Sequence, residues 1–360
     1  MRASGHSFAG ITATFALLLV CLAARADAPL RSPWDGHHVT PTDKPYTCPP
    51  IVHLSRDLTT DGFYSDSKSS VIDPAKMKAY NESSGPYKNL GQVIVDAADA
   101  WRSTGSRQAA VCALSHMEAA ARDGVFTGKM SSHQAYYVQG WVIGAIAIGW
   151  LKVRDSGLET SSLHDLVVPW IVSVTRQTTD FYDASHARNN HVYWAGVEAA
   201  AAGVAANDRK LFDWAVAAYR SGISEIQPNG SMPLEMARGQ RALHYHLFAL
   251  SPLVYLAEFG EVNDLHLYAE RDKALARLER LSVDGLKDNQ FFVKATGIAQ
   301  DTPTQGAPAA EQVSWGVIWQ SRFPDPVLAS ILAQAGPLSY MYLGGLPPGA
   351  NRNLAALREP

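Results

Sequence analysis

Charged residues are scarce in this chain. They make up 18% of its 360 residues, against about 25% in an average globular protein. Lys and Arg total 31 and Asp and Glu total 34, which gives a formal charge of −3. This balance provides no general attraction to nucleic acid or to anionic membranes, so neither is an expected partner. Hydrophobic residues make up 47%, which is enough for a core and excludes a largely disordered chain.

Long apolar runs are also absent, apart from one near the N-terminus. Residues 11–23 follow the basic Arg2 and are too few to span a bilayer comfortably, and they lead into Ala24-Arg25-Ala26. This pattern predicts a signal peptide over residues 1–26, cleaved after Ala26, and a protein that is periplasmic or secreted. No later stretch reaches 18 uninterrupted apolar residues, so the mature chain is not expected to span a membrane.

Cysteine is rare, with three residues in the chain. Cys21 lies in the predicted signal peptide, so the exported chain retains Cys48 and Cys112. An even pair in an oxidising compartment favours a disulfide, which would tie the proline-rich N-terminal region to the helical body. Two separate thiols are the alternative.

Several familiar catalytic motifs are missing. The segment Gly124–Met130 resembles a Walker loop but is one residue short and lacks its Ser or Thr, and there is no G-x-S-x-G, H-E-x-x-H or C-x-x-C motif. His244 and His246 are two positions apart on a predicted helix, so they point in different directions and do not share a metal easily. No cofactor and no metal are therefore expected.

Strand-like alternation is almost absent, whereas apolar residues at three- and four-residue spacing recur from about residue 91. Residues 27–62 predict an extended N-terminal arm, and residues 63–90 a mobile loop. After the first helices, further helices are predicted near 133–153, 162–179, 190–206, 208–226, 233–259, 265–281 and 326–335. Residues 140–151 are apolar on every side, which indicates a helix inside a second layer. The fold class predicted for residues 63–350 is all-α, with stacked antiparallel helical hairpins forming an α/α toroid, an incomplete α/α barrel.

Two segments carry unusual combinations of polar and aromatic residues. The first, Arg188–Trp194, reads R-N-N-H-V-Y-W, and a helix N-cap accounts for only one of its asparagines. The second, residues 231–246, places Arg238, Arg241 and Tyr245 on one stripe of a predicted helix. Two guanidinium groups and a phenol suit the lining of an anion-binding cleft, although Arg241 could instead pair with Glu235.

These segments resemble the alginate lyases of polysaccharide lyase family five. Members of that family carry N-N-H-x-Y-W and L-E-x-x-R-x-Q-R-A-L-x-Y-H, which this chain has at 189–194 and 234–246. Further matches are S-V-I-D-P at 70–74, L-F-D-W-A-V at 211–216 and L-G-G at 343–345. The resemblance runs in order from about residue 50 to residue 345.

The resemblance implies a metal-independent β-elimination on an anionic polysaccharide. Removal of the C5 proton of a uronate builds negative charge beside its carboxylate, so the site must neutralise that group and supply a base and an acid. By resemblance, Asn190 and His191 hydrogen-bond the carboxylate, and Arg238 adds positive charge and lowers the pKa of Tyr245 towards working pH. Tyr245 is then the base, the acid or both on mannuronate, while His191 could be the base on guluronate.

The resemblance also implies a set of substrate-binding residues, and departures from it leave the polymer open. Tyr64 and Lys68 fall in a lid loop, and the other expected binding residues are Gln134, Tyr137, Trp141, Trp194 and Arg241. Many relatives have Arg where this chain has Gln139 and Tyr342, and the acid of a W-x-E-x-Y motif is missing at 315–319.

Alginate rich in mannuronate is the first candidate substrate, and the chain is expected to act as a monomer. Polyglucuronate and hyaluronan remain alternatives, because the relatives most similar in the 234–246 segment include lyases that accept them. A non-catalytic polyuronate-binding protein on the same scaffold is a second alternative. An inverting glycoside hydrolase is a third, although it needs two carboxylates about 6.5–9.5 Å apart and the motifs offer only Glu235.

Overall fold

The computed structural model describes residues 28–186 and 188–350. The predicted signal peptide, residues 1–26, lies outside this part of the chain. A first unit extends to Leu30, and a second unit, Arg31–Pro360, contains all of the helices discussed below. Residues 31–72 of the second unit form turns and isolated bridges without a described helix.

The main helices alternate between an inner and an outer layer. The inner helices are α1 (Pro74–Thr104), α3 (His133–Val153), α5 (Asn190–Ala206) and α8 (Ala242–Glu261). The outer helices are α2 (Arg107–Asp123), α4 (Ser161–Ser185), α6 (Arg209–Glu225) and α9 (Glu270–Lys287). Each inner helix packs against the next inner helix and against an outer one. This is the predicted α/α toroid, and no strand of more than an isolated bridge occurs among the described residues.

The inner layer follows directly from composition. Helix α3 is buried along nearly its whole length, from Val138 to Val153, and α5 is buried from Val192 to Val204. Small residues allow this close packing: a Cβ on Gly144 would lie 3.3 Å from the Glu198 backbone, and one on Gly203 would lie 2.9 Å from the Phe212 nitrogen. The prediction that residues 140–151 lie within a second layer is confirmed.

Short elements complete the second unit. They are α7 (Pro233–Met236), α10 (Gln290–Thr296), α11 (Ala310–Val313), α12 (Gly316–Arg322), α13 (Pro326–Gln334) and three 3₁₀ turns, Gly239–Arg241, Leu267–Ala269 and Met341–Leu343. In the C-terminal segment, α11 and α12 pack against α8. The last 3₁₀ turn contacts α1 and α3. No helix in 28–186 or 188–350 has the length and apolar character needed to cross a membrane.

The prediction of a mobile loop over 63–90 is wrong for its larger part, because α1 already begins at Pro74. The Asp73 carboxylate accepts hydrogen bonds from the Ala75 and Lys76 backbone nitrogens, and Pro74 occupies the first helical position. Polar residues around Pro86 obscured the helical period, yet Tyr80, Tyr87 and Leu90 form its buried face. The Asp-Pro pair was the available start signal.

The single helix predicted over 233–259 is also wrong. The chain breaks between α7 and α8, where Gly239 has a φ of +60°. A left-handed backbone is costly for residues with a Cβ, and glycine adopts it freely. Arg238 and Arg241 therefore lie in a turn and not on one helical stripe with Tyr245.

The predicted disulfide is confirmed. Cys48 and Cys112 are bonded, with their Cα atoms 5.6 Å apart and a sequence separation of 64. The bridge ties the irregular N-terminal segment to α2, and in the chain-entropy description a closed loop of this length stabilises the fold by about 4 kcal/mol.

A buried ion pair holds the C-terminal turn against the toroid. Lys152 on α3 donates to Asp99 on α1 and to the carbonyl oxygens of Gly344 and Leu346, and Asp99 accepts from the Leu346 nitrogen at 2.7 Å. The Lys152 side chain is 1% exposed. A Cβ on Gly345 would lie 2.2 Å from Asp99, so glycine is required for this close approach.

Replacing Lys152 with methionine is expected to destabilise the protein by about 3–5 kcal/mol, because it leaves the Asp99 carboxylate buried without its cation. Denaturant unfolding measures this loss. The double variant Lys152→Met with Asp99→Asn removes both charges and should recover much of the stability. A single variant as stable as the parent would show that the pair does not hold the turn.

Candidate active site

A cleft of about 600 Å³ opens on one side of the toroid. Its walls come from the 62–72 loop, from α1 and α3, from the start of α5, and from the 238–241 turn with the first part of α8. Tyr340 and Tyr342 of the C-terminal turn close the remaining side. Segments far apart in sequence therefore meet in one concave surface.

Tyr245 is the centre of the polar contacts in this cleft. Its hydroxyl lies 2.6 Å from the hydroxyl of Tyr64, and Arg241 donates a hydrogen bond to the Tyr64 oxygen at 2.5 Å. The Arg238 guanidinium lies over the Tyr245 ring, 3.4 Å from its centroid. Because the Arg241 N–H occupies one lone pair of Tyr64, the Tyr64 proton is free to point at Tyr245. The two arginines predicted for the site therefore both converge on the predicted phenol.

Arg238 lowers the pKa of Tyr245, as predicted, but it does not bring that pKa down to working pH. Burial raises the pKa of Tyr245 strongly, and the opposing effect of Arg238 is smaller. The Arg238 guanidinium sits over the ring face, and the phenol oxygen is shielded from solvent. Tyr245 is consequently protonated at neutral pH in the unliganded protein.

The 62–72 loop is closed over the site by specific bonds. Arg238 donates to the Ser69 carbonyl at 3.0 Å, and Gln240 donates to the Ser70 carbonyl at 2.7 Å. Within the loop, the Asp66 carboxylate accepts backbone N–H bonds from Ser70 and Val71, and these lower its pKa to about 2. These bonds place Tyr64 against Tyr245.

His191 lines the cleft as predicted and is neutral there. Its ring stacks on Tyr137 with centroids 3.7 Å apart. Burial, assisted by the nearby positive charge of Arg238, lowers the pKa of His191 to about 3. A neutral imidazole can donate one hydrogen bond to a substrate carboxylate but does not add a positive charge.

Asn190 occupies a different place from the one predicted. It is fully buried, does not line the cleft, and its side-chain nitrogen lies 2.9 Å from both oxygens of Glu235. Helix α5 begins at this residue, so its side chain points inward while the preceding Asn189 faces the cleft. Glu235 in turn lies 4.0 Å from Arg238. Asn190 therefore helps to hold the carboxylate that faces this arginine. The carboxylate paired with Arg241 is Asp301, at 3.1 Å, and not Glu235.

The predicted substrate-binding residues separate into two groups. Tyr64, Gln134, Tyr137, Trp141 and Arg241 line the cleft. Lys68 does not line it and is exposed on the loop.

The structure does not support the predicted binding role of Trp194. Its side chain is 3% exposed and packs behind the cleft wall, with its ring centroid 4.7 Å from that of Phe248. Because Trp194 follows His191 by three positions, sequence spacing alone could not place it in the wall or behind it.

One of the departures from the family pattern also falls outside the cleft. Gln139 is fully buried and donates to the Val174 carbonyl at 3.3 Å. Its change from arginine therefore does not remove a cation from the cleft lining, contrary to the interpretation made from sequence. Tyr342, in contrast, lines the cleft and stacks on Trp141.

Sequence reasoning missed several lining residues, notably His244, Phe248 and Tyr340. His244 and Phe248 stack in parallel one helical turn apart, with centroids separated by 6.1 Å. Burial lowers the pKa of His244 to about 3, so this histidine is also neutral. The available signal was that His244 lies three positions after Arg241 and next to Tyr245.

Few groups of side chains in the described part of the chain are arranged so that they could hold a metal ion. The one cluster of three potential ligands within 28–186 and 188–350 consists of Cys48, Cys112 and His116. Both sulfurs of this cluster are already committed to the disulfide, so they are not thiolate ligands.

The fold has counterparts among solved structures. The alginate lyase A1-III from a Sphingomonas species aligns with a TM-score of 0.70 at 21% sequence identity, covering 90% of this chain and 92% of that one. Two variants of the same lyase, one with a histidine changed to alanine and one with a tyrosine changed to phenylalanine, are complexed with a tetrasaccharide and align with a TM-score of 0.74. These matches show that the chain shares the fold of that lyase.

Sequence comparison identifies the family. The profile described as alginate lyase matches residues 57–292. A polysaccharide lyase from Stenotrophomonas maltophilia is 35% identical over 302 residues, covering 83% of this chain and 88% of its own. An alginate lyase from Pseudomonas putida is 31% identical over 264 residues, covering 72% and 70%. The chain belongs to the alginate lyase family.

Proposed function

We propose that this protein depolymerises alginate by β-elimination, with Tyr245 exchanging protons at the scissile linkage. The observation that carries the proposal is the convergence of Arg238, Arg241 and Tyr64 on Tyr245 in the cleft of a chain from this family. The relatives named alginate lyases support alginate as the polymer. A binding protein without turnover is less well supported, because Gln139, one of the two departures that favoured it, lies outside the cleft.

The reaction needs positive charge at the uronate carboxylate and a proton acceptor at C5. In the proposed reaction Arg238 neutralises the carboxylate, with neutral His191 donating a hydrogen bond to it. In the fraction of enzyme in which Tyr245 has lost its own proton to solvent, the C5 proton passes to the Tyr245 oxygen, a double bond forms between C4 and C5, and the C4–O4 bond breaks. The departing O4 takes a proton, which Tyr245 can return when both atoms lie on one face of the sugar.

Tyr64 and Arg241 suit the charged form of Tyr245. When Tyr245 gives up its proton, the Tyr64 hydroxyl can donate to the resulting oxygen anion, while Arg241 continues to donate to Tyr64. Arg238 over the ring adds a second stabilising charge. The positive charges of Arg238 and Arg241 lower the pKa of Tyr245 and so oppose burial, whereas the contact with Tyr64 in the unliganded protein raises that pKa further.

The reaction type is tested by the mass of the products. Elimination yields oligosaccharides whose new non-reducing end is one water molecule lighter than the end produced by hydrolysis. We expect the lighter species from alginate. Products carrying the added water would contradict the proposal and favour a glycoside hydrolase.

The pH dependence of kcat/KM distinguishes the two candidate bases. Burial raises the pKa of Tyr245, so its deprotonated fraction grows about tenfold per pH unit throughout the neutral range, and kcat/KM should rise from pH 6 to pH 9. His191, with a pKa of about 3, is fully deprotonated above pH 5. A flat profile between pH 6 and pH 9 on mannuronate-rich alginate would instead indicate His191 as the base.

We also propose that the protein is exported and acts as a monomer. The disulfide between Cys48 and Cys112 suits an oxidising compartment. N-terminal sequencing of the protein recovered from the periplasm or medium should begin at Asp27, and light scattering should give the mass of one chain. Recovery of the full-length chain in the cytoplasm, or a dimer mass, would contradict these two assignments.

A further inference from the structure

The cleft contains few fixed positive charges, and they are concentrated at one point. Among its described lining residues, only Arg238 and Arg241 are lysine or arginine. Their Cζ atoms lie 3.4 and 5.4 Å from the centroid of the Tyr245 ring. Asp66 and Glu311 also line the cleft. Its formal charges therefore balance, and both positive ones lie beside Tyr245.

Both arginines also bind groups of the protein. Arg238 is held by the Ser69 carbonyl at 3.0 Å, and Arg241 by Tyr64 and by Asp301. Of the other cations on the neighbouring loop and helix, Lys68 is exposed and Lys76 donates to the Tyr64 carbonyl. A homopolymer of uronates carries a carboxylate on every sugar, and no third lysine or arginine is among the described lining residues to pair with a flanking one.

The wall beyond Tyr245 is aromatic instead. Tyr342 stacks on Trp141, with centroids 4.7 Å apart and ring planes 14° apart, and Tyr340 lies 5.2 Å from Tyr342. Phe248 lies between Trp141 and Tyr245. The centroid of its ring is 6.2 Å from that of Trp141 and 6.1 Å from that of Tyr245. The stacked pair of Trp141 and Tyr342 is therefore separated from Tyr245 by the single ring of Phe248.

Tyr342 is fixed in this position from behind. The 3₁₀ turn Met341–Leu343 leads into Gly344 and the backbone bridge between Tyr340 and Gly345. Lys152 and Asp99 bind the segment immediately after that turn. Tyr342 is therefore a rigid part of the wall, in contrast to Tyr64, which is carried by a loop.

We propose that Tyr342 makes the site for the flanking sugar insensitive to charge, so that the enzyme recognises the carboxylate only of the uronate that loses its C5 proton. The flanking sugar is recognised by its apolar face and its hydroxyl groups against the aromatic wall. The substrate class is thus an anionic glycan whose flanking sugar is accepted whether it is charged or neutral. This inference rests on the proposed lyase activity.

Partially carboxyl-reduced alginate tests the proposal, because reduction turns some uronates into neutral sugars without shortening the polymer. The rate of unsaturated product formation is measured per intact uronate on native alginate and on alginate with about nine tenths of its carboxyls reduced, so that most of the remaining uronates have a neutral neighbour. We expect the two rates to agree within about threefold. A required ionic contact with the flanking carboxylate would make the reduced polymer about tenfold slower or more, and that result would overturn the proposal.

Two variants assign the effect to Tyr342. Tyr342→Arg introduces a cation, so the ratio of the rate on native alginate to that on reduced alginate should increase at least about fivefold. Tyr342→Phe keeps the ring without a charge, and the same ratio should stay within about twofold of the parent whatever happens to the rate itself. An unchanged ratio in Tyr342→Arg would contradict the role of this position. Absence of product from both polymers would instead contradict the lyase activity itself.

Discussion

Changing Tyr245 to phenylalanine is expected to lower kcat on alginate by about 10²–10⁴-fold, the usual contribution of a general acid or base. The substitution removes one oxygen atom and leaves the ring on which Arg238 stacks. KM should change much less, because the carboxylate contacts remain. Steady-state kinetics on purified protein measure both quantities.

The matched control for that substitution is Tyr136→Phe. Tyr136 lies on the same inner helix as Tyr137, stacks on Phe181 at 4.1 Å and does not line the cleft. It also loses one phenol oxygen, and we expect its kcat to stay within about twofold of the parent. Full activity in Tyr245→Phe would show that another group moves the proton.

Changing Arg238 to alanine is expected to lower kcat/KM by about 10²–10³-fold, comparable to the loss of one preorganised electrostatic donor. Arg238 is the cation nearest to the Tyr245 ring, and it also holds the Ser69 carbonyl of the closed loop. Its removal takes away charge that stabilises both the uronate carboxylate and the ionised phenol. Stopped-flow or initial-rate measurements at several substrate concentrations give this ratio.

The control here is Arg220→Ala, which removes a guanidinium from the outer helix α6. Arg220 pairs with Glu270 on the surface, far in sequence from the cleft segments, and is not a lining residue. Exposed ion pairs contribute little, so kcat/KM should stay near that of the parent. If Arg238→Ala retained more than about a tenth of the parent kcat/KM, its charge would not be central to the reaction.

The helices that could be predicted from sequence are those whose apolar pattern is unambiguous. Residues 133–153 and 190–206 were predicted with the observed bounds, because α3 and α5 are apolar on all sides and flanked by polar caps. Helix α1 was predicted too late, since its first turns carry a polar face around Pro86. The break at Gly239 was not read from periodicity, because Arg238, Arg241 and Tyr245 keep a three- and four-residue spacing across it.

The site was predictable in its residue types and less so in its geometry. Motif resemblance selected Tyr64, His191, Arg238 and Tyr245, and the structure brings all four into one cleft. It could not show that Asn190 turns inward to Glu235, because the direction of a side chain at a helix start depends on how that helix packs. Nor could it show that burial outweighs Arg238 in setting the pKa of Tyr245, since burial is a property of the folded cleft.

The most direct test of the account is the absorbance at about 235 nm of the conjugated unsaturated uronate that elimination produces. Purified protein spanning residues 27–360 is incubated with poly-mannuronate, poly-guluronate, polyglucuronate and hyaluronan in parallel, with Tyr245→Phe as the inactive control. We expect a rise on poly-mannuronate that disappears in Tyr245→Phe. A rise on another polymer alone would reassign the substrate, and no rise on any of the four would contradict the proposed lyase reaction.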